Sequence, residues 1–225
     1  MEKYGIKASL YDFFGYFIPG IVFYLLLNVL NYISFYSNYV LLLINIDKFL
    51  KSYVVFSNST CIALIIILTV ILVYITGLLI SFFSSLIFGK IIKANKLRNI
   101  LSNSMYTLFK KLFKLSYKYE FMESDFRICI TEVECFAPMV NNTAFTFLSL
   151  YGLHRSLSLT FLLFAFIQLI LIFYSLTLFG LVLLFILLGL AISFFFGYMK
   201  FHKYYLSEIA SAFITINTTK KGEKA

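Results

Sequence analysis

The residue types that build most active sites are scarce in this chain and poorly spaced for catalysis. There are two histidines, His154 and His202, and three cysteines, Cys61, Cys129 and Cys135. Neither histidine has a second ligand at metal-binding spacing, and neither follows an arginine at the R-x4-6-H spacing of a metal-independent ribonuclease. The cysteines form no C-x-x-C pair, so they read as buried thiols rather than a redox or metal centre. There is no G-x-S-x-G, P-loop, H-E-x-x-H or G-x-G-x-x-G. The chain therefore reads as something other than an enzyme, and no cofactor or metal is expected.

The spacing instead favours helix association. Gly77, Ser81, Ser85 and Gly89 recur every four residues and share one helix face. Gly189, Ser193 and Gly197 repeat the pattern nearer the C-terminus. Stripes of small residues let helices approach closely in lipid, where packing drives association. They serve contacts inside one subunit, between neighbouring subunits, or along a pore. Asn28 and Asn31 could add a polar seam, and Gln168 is the strongly polar residue of a third apolar stretch. A basic run, Lys90, Lys93, Lys96, Arg98, Lys110, Lys111, Lys114 and Lys118, contains no acid. Its apolar residues fall on one side at helical period, which suits a helix resting on anionic headgroups or binding a partner. Direct binding of nucleic acid is the lesser reading.

These residues are carried by long apolar elements. No charge occurs from Ile62 to Gly89 or from Ser156 to Met199, and mean hydropathy is +0.93. About 20 apolar residues cross a bilayer core. The block from 156 to 199, as one helix, would be about 66 Å long, so it must fold into a hairpin. The expected fold is all-α: four transmembrane helices with a cytoplasmic helical subdomain between spans two and three. A membrane hairpin covers 1–89, with spans at about 17–35 and 62–89 and an interfacial helix at 39–56. The segment 90–155 is polar, basic first and acidic second. A second hairpin, 156–214, holds spans at about 157–174 and 181–199 and ends in an amphipathic extension; 215–225 reads as disordered. Pro138 suits the first turn of a helix running through to 174. The apolar start carries Asp12 and Pro19 and reads as an uncleaved first span rather than a signal peptide. Pro19-Gly20 should interrupt it.

The N-terminus holds two Lys or Arg, the 36–61 loop two, the 90–155 segment ten and the C-terminal tail five, with none at 174–180. Positive-inside placement puts both termini and the 90–155 segment in the cytoplasm, which requires an even number of spans, in an inner (plasma) membrane. The net charge of +9 has the same source. Apart from Asp12 the spans lack acidic groups, which argues against an ion-coupled transporter of small solutes.

Ser9 to Gly20, SLYDFFGYFIPG, resembles the opening of small four-span prokaryotic proteins encoded beside defence effectors. The stretch from Glu132 through Arg155-Ser156-Leu157, and the tail Lys200-Phe201-His202-Lys203-Tyr204-Tyr205, are similar to the same kind of protein. In these stretches the chain resembles the multi-pass accessory proteins of type VI-B RNA-targeting CRISPR systems. The resemblance implies an oligomeric membrane effector or modulator of antiviral defence, a homo-oligomer coupled to an RNA-guided nuclease. The reading is a pore or permeability factor; the alternative is a non-conducting anchor or scaffold for a cytoplasmic partner.

Overall fold

The computed structural model describes residues 11–36, 59–92, 97–122, 125–174 and 176–222. The protein is an all-α membrane protein, and among the described residues there is no strand. A π-helical turn, Phe13–Phe17, leads into α1 (Ile18–Tyr36). There follow α2 (Ser59–Ile92), the short α3 (Leu97–Ile100), α4 (Asn103–Tyr117), α5 (Phe126–Phe136), α6 (Pro138–Tyr174) and α7 (Leu178–Gly222). Four helical stretches are long and apolar enough to cross a membrane: Phe13–Leu30, Ile66–Gly89, Pro138–Tyr174 and Leu178–Lys220. Their β-branched residues, poor helix formers in water, stay helical because lipid leaves backbone groups no partner outside the helix. The interfacial helix expected at 39–56 lies outside the described residues.

Two expectations are corrected. Pro19 does not end its helix: the bonding is irregular only before it, a π-helical turn at Phe13–Phe17 giving way to α1, which runs on to Tyr36. Pro19 has no N–H to offer the carbonyl four residues back, that of Gly15. The Ser156 hydroxyl donates to this carbonyl instead, at 3.5 Å. Second, residues 215–222 are not disordered: α7 continues to Gly222.

The chain forms two compact units. The first comprises Met1–Tyr11, Leu86–Gly152 and Phe196–Ala225; the second comprises Asp12–Ser85 and Leu153–Phe195. Helices α6 and α7 contribute to both. In the first unit, Ser102 caps α4 by accepting the Met105 N–H at 3.3 Å. The helix ends at Lys118 in the left-handed region, φ 64°. Phe109 and Phe113 then point into a core shared with Phe121, Cys129, Val133, Ile209 and Phe213. Phe109 meets Phe121 edge-on at 4.9 Å and Phe213 at 5.1 Å. This unit is thus larger than the 90–155 segment, because the end of α7 completes its core. In the second unit, Leu27 and Leu30 of α1 pack with Phe161, Phe164 and Ala165 of α6 and Leu187 and Ala191 of α7.

Candidate functional site

In the second unit, the polar and small residues of α2 meet two different neighbours. At Gly77, a Cβ would overlap the Tyr16 carbonyl; at Gly20, a Cβ would overlap the Val73 carbonyl. The N-terminal helix and α2 therefore approach at reciprocal glycines, where no L side chain fits without backbone movement. Tyr24 and Thr76, four residues beyond Gly20 and one before Gly77, exchange a hydroxyl–hydroxyl bond at 3.3 Å.

One turn further along α2 is the buried polar constellation of this unit. Arg155 of α6 is 9% exposed, and its Nε donates to Ser84 Oγ at 3.1 Å. Its Nη2 donates to Ser81 Oγ at 3.0 Å and to the Ser81 carbonyl at 3.3 Å. Ser84 in turn donates to the Ser81 carbonyl at 2.8 Å. A planar guanidinium forks across hydroxyls one turn apart with separate nitrogens. Both serines lie in the candidate span Ile66–Gly89, and Arg155 lies in Pro138–Tyr174. A charge at such a place is costly unless it is hydrogen-bonded. Sequence reasoning counted Arg155 only among the Lys and Arg of the 90–155 segment and passed over Ser84. The available signal was a Ser-x-x-Ser pair in an otherwise apolar helix.

The remaining predicted residues are distributed as follows. Ser81 is buried under Arg155, while Ser85 is exposed, and Gly89 has nothing near a Cβ position. On α7, Gly189 and Ser193 are exposed and Gly197 is half-buried; a Cβ at Gly189 would stand in open space. The buried face of α7 beside them is built from Leu187 and Ala191. Asn28 is exposed, and the Asn31 side chain lies outside the described residues. Gln168 is 2% exposed; its Nε2 donates to the Gly180 carbonyl at 3.3 Å, and its Oε1 has no partner among the described residues. Thr177 accepts the Gly180 N–H at 3.1 Å, closing the turn between α6 and α7.

Of the basic run, Arg98, Lys110, Lys111, Lys114 and Lys118 are exposed in the first unit. The Lys90, Lys93 and Lys96 side chains lie outside the described residues. The apolar face of this segment is divided. Leu97, Leu101 and Leu112 are in the core, while Leu108 and Leu115 stay exposed. His154 packs against Phe194 at 5.4 Å in the second unit, and His202 against Tyr151 at 5.4 Å in the first. Each histidine is held by an aromatic ring.

The first unit also holds a polar cluster that the sequence did not announce. Glu132 accepts from Tyr117 Oη at 2.8 Å, from Lys220 Nζ at 2.7 Å and from Asn217 Nδ2 at 3.3 Å. Asn217 Oδ1 accepts from Ser116 at 2.9 Å. Burial and the bond to Glu132 push the Tyr117 phenol up from its usual range. Burial, with the Glu132 charge behind it, raises the Cys129 thiol to about 12.

The chain matches no protein-family model, no curated protein and no solved structure. The functional reading therefore rests on the membrane-spanning architecture and on these constellations.

Proposed function

We propose that this protein is an integral membrane effector or modulator that works as a homo-oligomer and alters membrane permeability. The observation that carries the reading is the outward face of α7. Gly189 and Ser193 are exposed, with open space where a Gly189 side chain would be. An exposed small-residue face on an apolar helix offers close backbone approach to another helix. Of the α2 stripe, Gly77 and Ser81 are already engaged inside the unit and Ser85 is exposed, whereas on α7 both Gly189 and Ser193 are exposed, so α7 offers the longer open stripe to a neighbouring subunit. The resemblance to accessory proteins of RNA-targeting CRISPR systems supplies the setting. In it the chain sits in the inner membrane with both termini in the cytoplasm, and an RNA-guided nuclease is the partner.

The test is dye-reported membrane potential in cells expressing the chain, alone and with that nuclease activated. Depolarisation that is abolished by Gly189→Leu and Ser193→Leu, with membrane levels of protein unchanged, is the expected result. Depolarisation unaffected by both substitutions would reject the α7 face as the assembly contact. A second reading, a non-conducting anchor or scaffold, is favoured by one observation. The first unit has its own aromatic core and so can present a folded surface to a partner. A steady potential under both conditions, with the nuclease co-purifying, would select it.

A further inference from the structure

Between α4 and α5 the first unit opens into a cleft of about 580 Å³, within the size range of small-molecule sites. Its walls are apolar: Leu112 and Leu115 from α4, Ile128 and Phe136 from α5. Leu115 is 53% and Phe136 62% exposed, so the walls present apolar surface that the unit itself leaves uncovered. The floor is polar and ordered. Glu132, its side chain 9% exposed, lies there with Lys220 at 2.7 Å.

The floor's hydrogen bonding decides the charge of what the cleft accepts. Both Glu132 oxygens are taken, one by Tyr117 and the other by Lys220 and Asn217. A cationic guest would have to displace Lys220. Lys220 differs: an ammonium carries three donors, one is used on Glu132, and the side chain remains 40% exposed. Its nitrogen also sits 3.7 Å from the centre of the Phe136 ring, which fixes it at the cleft wall. A fixed, half-exposed cation beside a trough of leucine, isoleucine and phenylalanine matches a molecule with an anionic end and an alkyl body.

We infer that this cleft binds an anionic amphiphile, an alkyl phosphate or the equivalent part of an acidic phospholipid, with Lys220 holding the anionic end and Leu115 and Phe136 the chain. Cys135, expected from the sequence to be buried, is instead exposed and lines the cleft, where it supplies a reporter; Cys129 is fully buried. The full chain carrying Cys61→Ser is placed in phosphatidylcholine nanodiscs, and maleimide labelling of Cys135 is timed. Dodecyl phosphate below its micelle concentration should slow labelling at least about fivefold near saturation, by mass action. Dodecylphosphocholine, with the same tail but a masked charge, and inorganic phosphate, with no tail, should leave the rate within twofold. Lys220→Gln should raise the half-protecting concentration about tenfold, the worth of one charged hydrogen bond, and Lys220→Arg should restore it. Leu115→Gln leaves the Glu132 cluster intact and should also weaken protection, which separates lost binding from lost folding. Protection already present in phosphatidylglycerol nanodiscs would identify the bilayer as the source, and its absence a soluble amphiphile. No slowing by dodecyl phosphate, or equal slowing by both dodecyl compounds, would overturn the assignment. Neither outcome depends on whether the protein conducts.

Discussion

Arg155 shows how single residues set the energetics of the second unit. Its hydrogen bonds to Ser81 and Ser84 hold a guanidinium inside two helices whose other buried polar groups are uncharged. Ser84 makes two of the contacts in this group, accepting from Arg155 and donating to the Ser81 carbonyl. Ser84→Ala therefore leaves a charged donor short of an acceptor, at a cost of about 1–3 kcal/mol. Ser85→Ala, on the exposed face one residue away, should be within about 0.5 kcal/mol of neutral. Thermal unfolding of the two variants in the same detergent checks this; equal melting temperatures would mean Ser84 is not the acceptor that matters. In the first unit the matching residue is Cys129. Its thiol is raised from about 9 to about 12, so the folded state retains a proton that the unfolded state gives up between those values. Stability from the neutral thiol is complete below about pH 9 and is lost as pH rises toward 12. The melting temperature should fall over that range, and fall less steeply in Cys129→Ala. A parallel decline in the variant would place the alkaline sensitivity elsewhere, with the Tyr117 phenol the next group to substitute.

The element whose behaviour differs most from expectation is the end of α7. Its last two turns carry few apolar residues, so local pattern reads them as a frayed tail. They are helical because Asn217 and Lys220 meet Glu132, 85 and 88 positions earlier in the chain, information that no local window contains. A stop codon after Ile214 should then remove two of the three side chains donating to Glu132 and destabilise the first unit by about 1–3 kcal/mol. Hydrogen exchange of residues 126–136 reads this directly: exchange should accelerate several-fold, whereas a dispensable tail would leave it unchanged. The membrane helices were far more legible. Uncharged runs of 28 and 44 residues leave the backbone no solution but helices, and Pro138 marks the start of α6 because a first turn tolerates its missing N–H. The small-residue stripe of α2 was legible in kind but not in detail. A four-residue period pairs Ser81 with Ser85, yet the face that meets Arg155 uses the three-residue step to Ser84. Both steps lie on one side of a helix, and only the neighbour's position chooses between them.

At the scale of the whole molecule the governing quantity is where the positive charge falls. Of the 19 Lys and Arg residues, the turn between α6 and α7 holds none, while positions 90–155 and the residues after Met199 hold most. The turn is closed by Thr177, Gly180 and Gln168 rather than by charged groups, so nothing there resists translocation. Retaining a cluster of lysines on the cytoplasmic side is favourable, and basic residues close to the span ends decide orientation. The expected outcome is that alkaline phosphatase inserted at Leu176 is active and green fluorescent protein fused after Ala225 is fluorescent. The reciprocal fusions should be silent. The opposite pattern would invert the molecule and put Lys220 and its cleft on the side away from the cytoplasm, where no cytoplasmic nuclease could reach the first unit. Moving charge tests the cause as well as the result. Adding four lysines to the α6–α7 turn should lower phosphatase activity there several-fold, because each added cation works against translocation of a turn that now contains none. If activity is unchanged, orientation is set by the packing of the helices rather than by the charge bias.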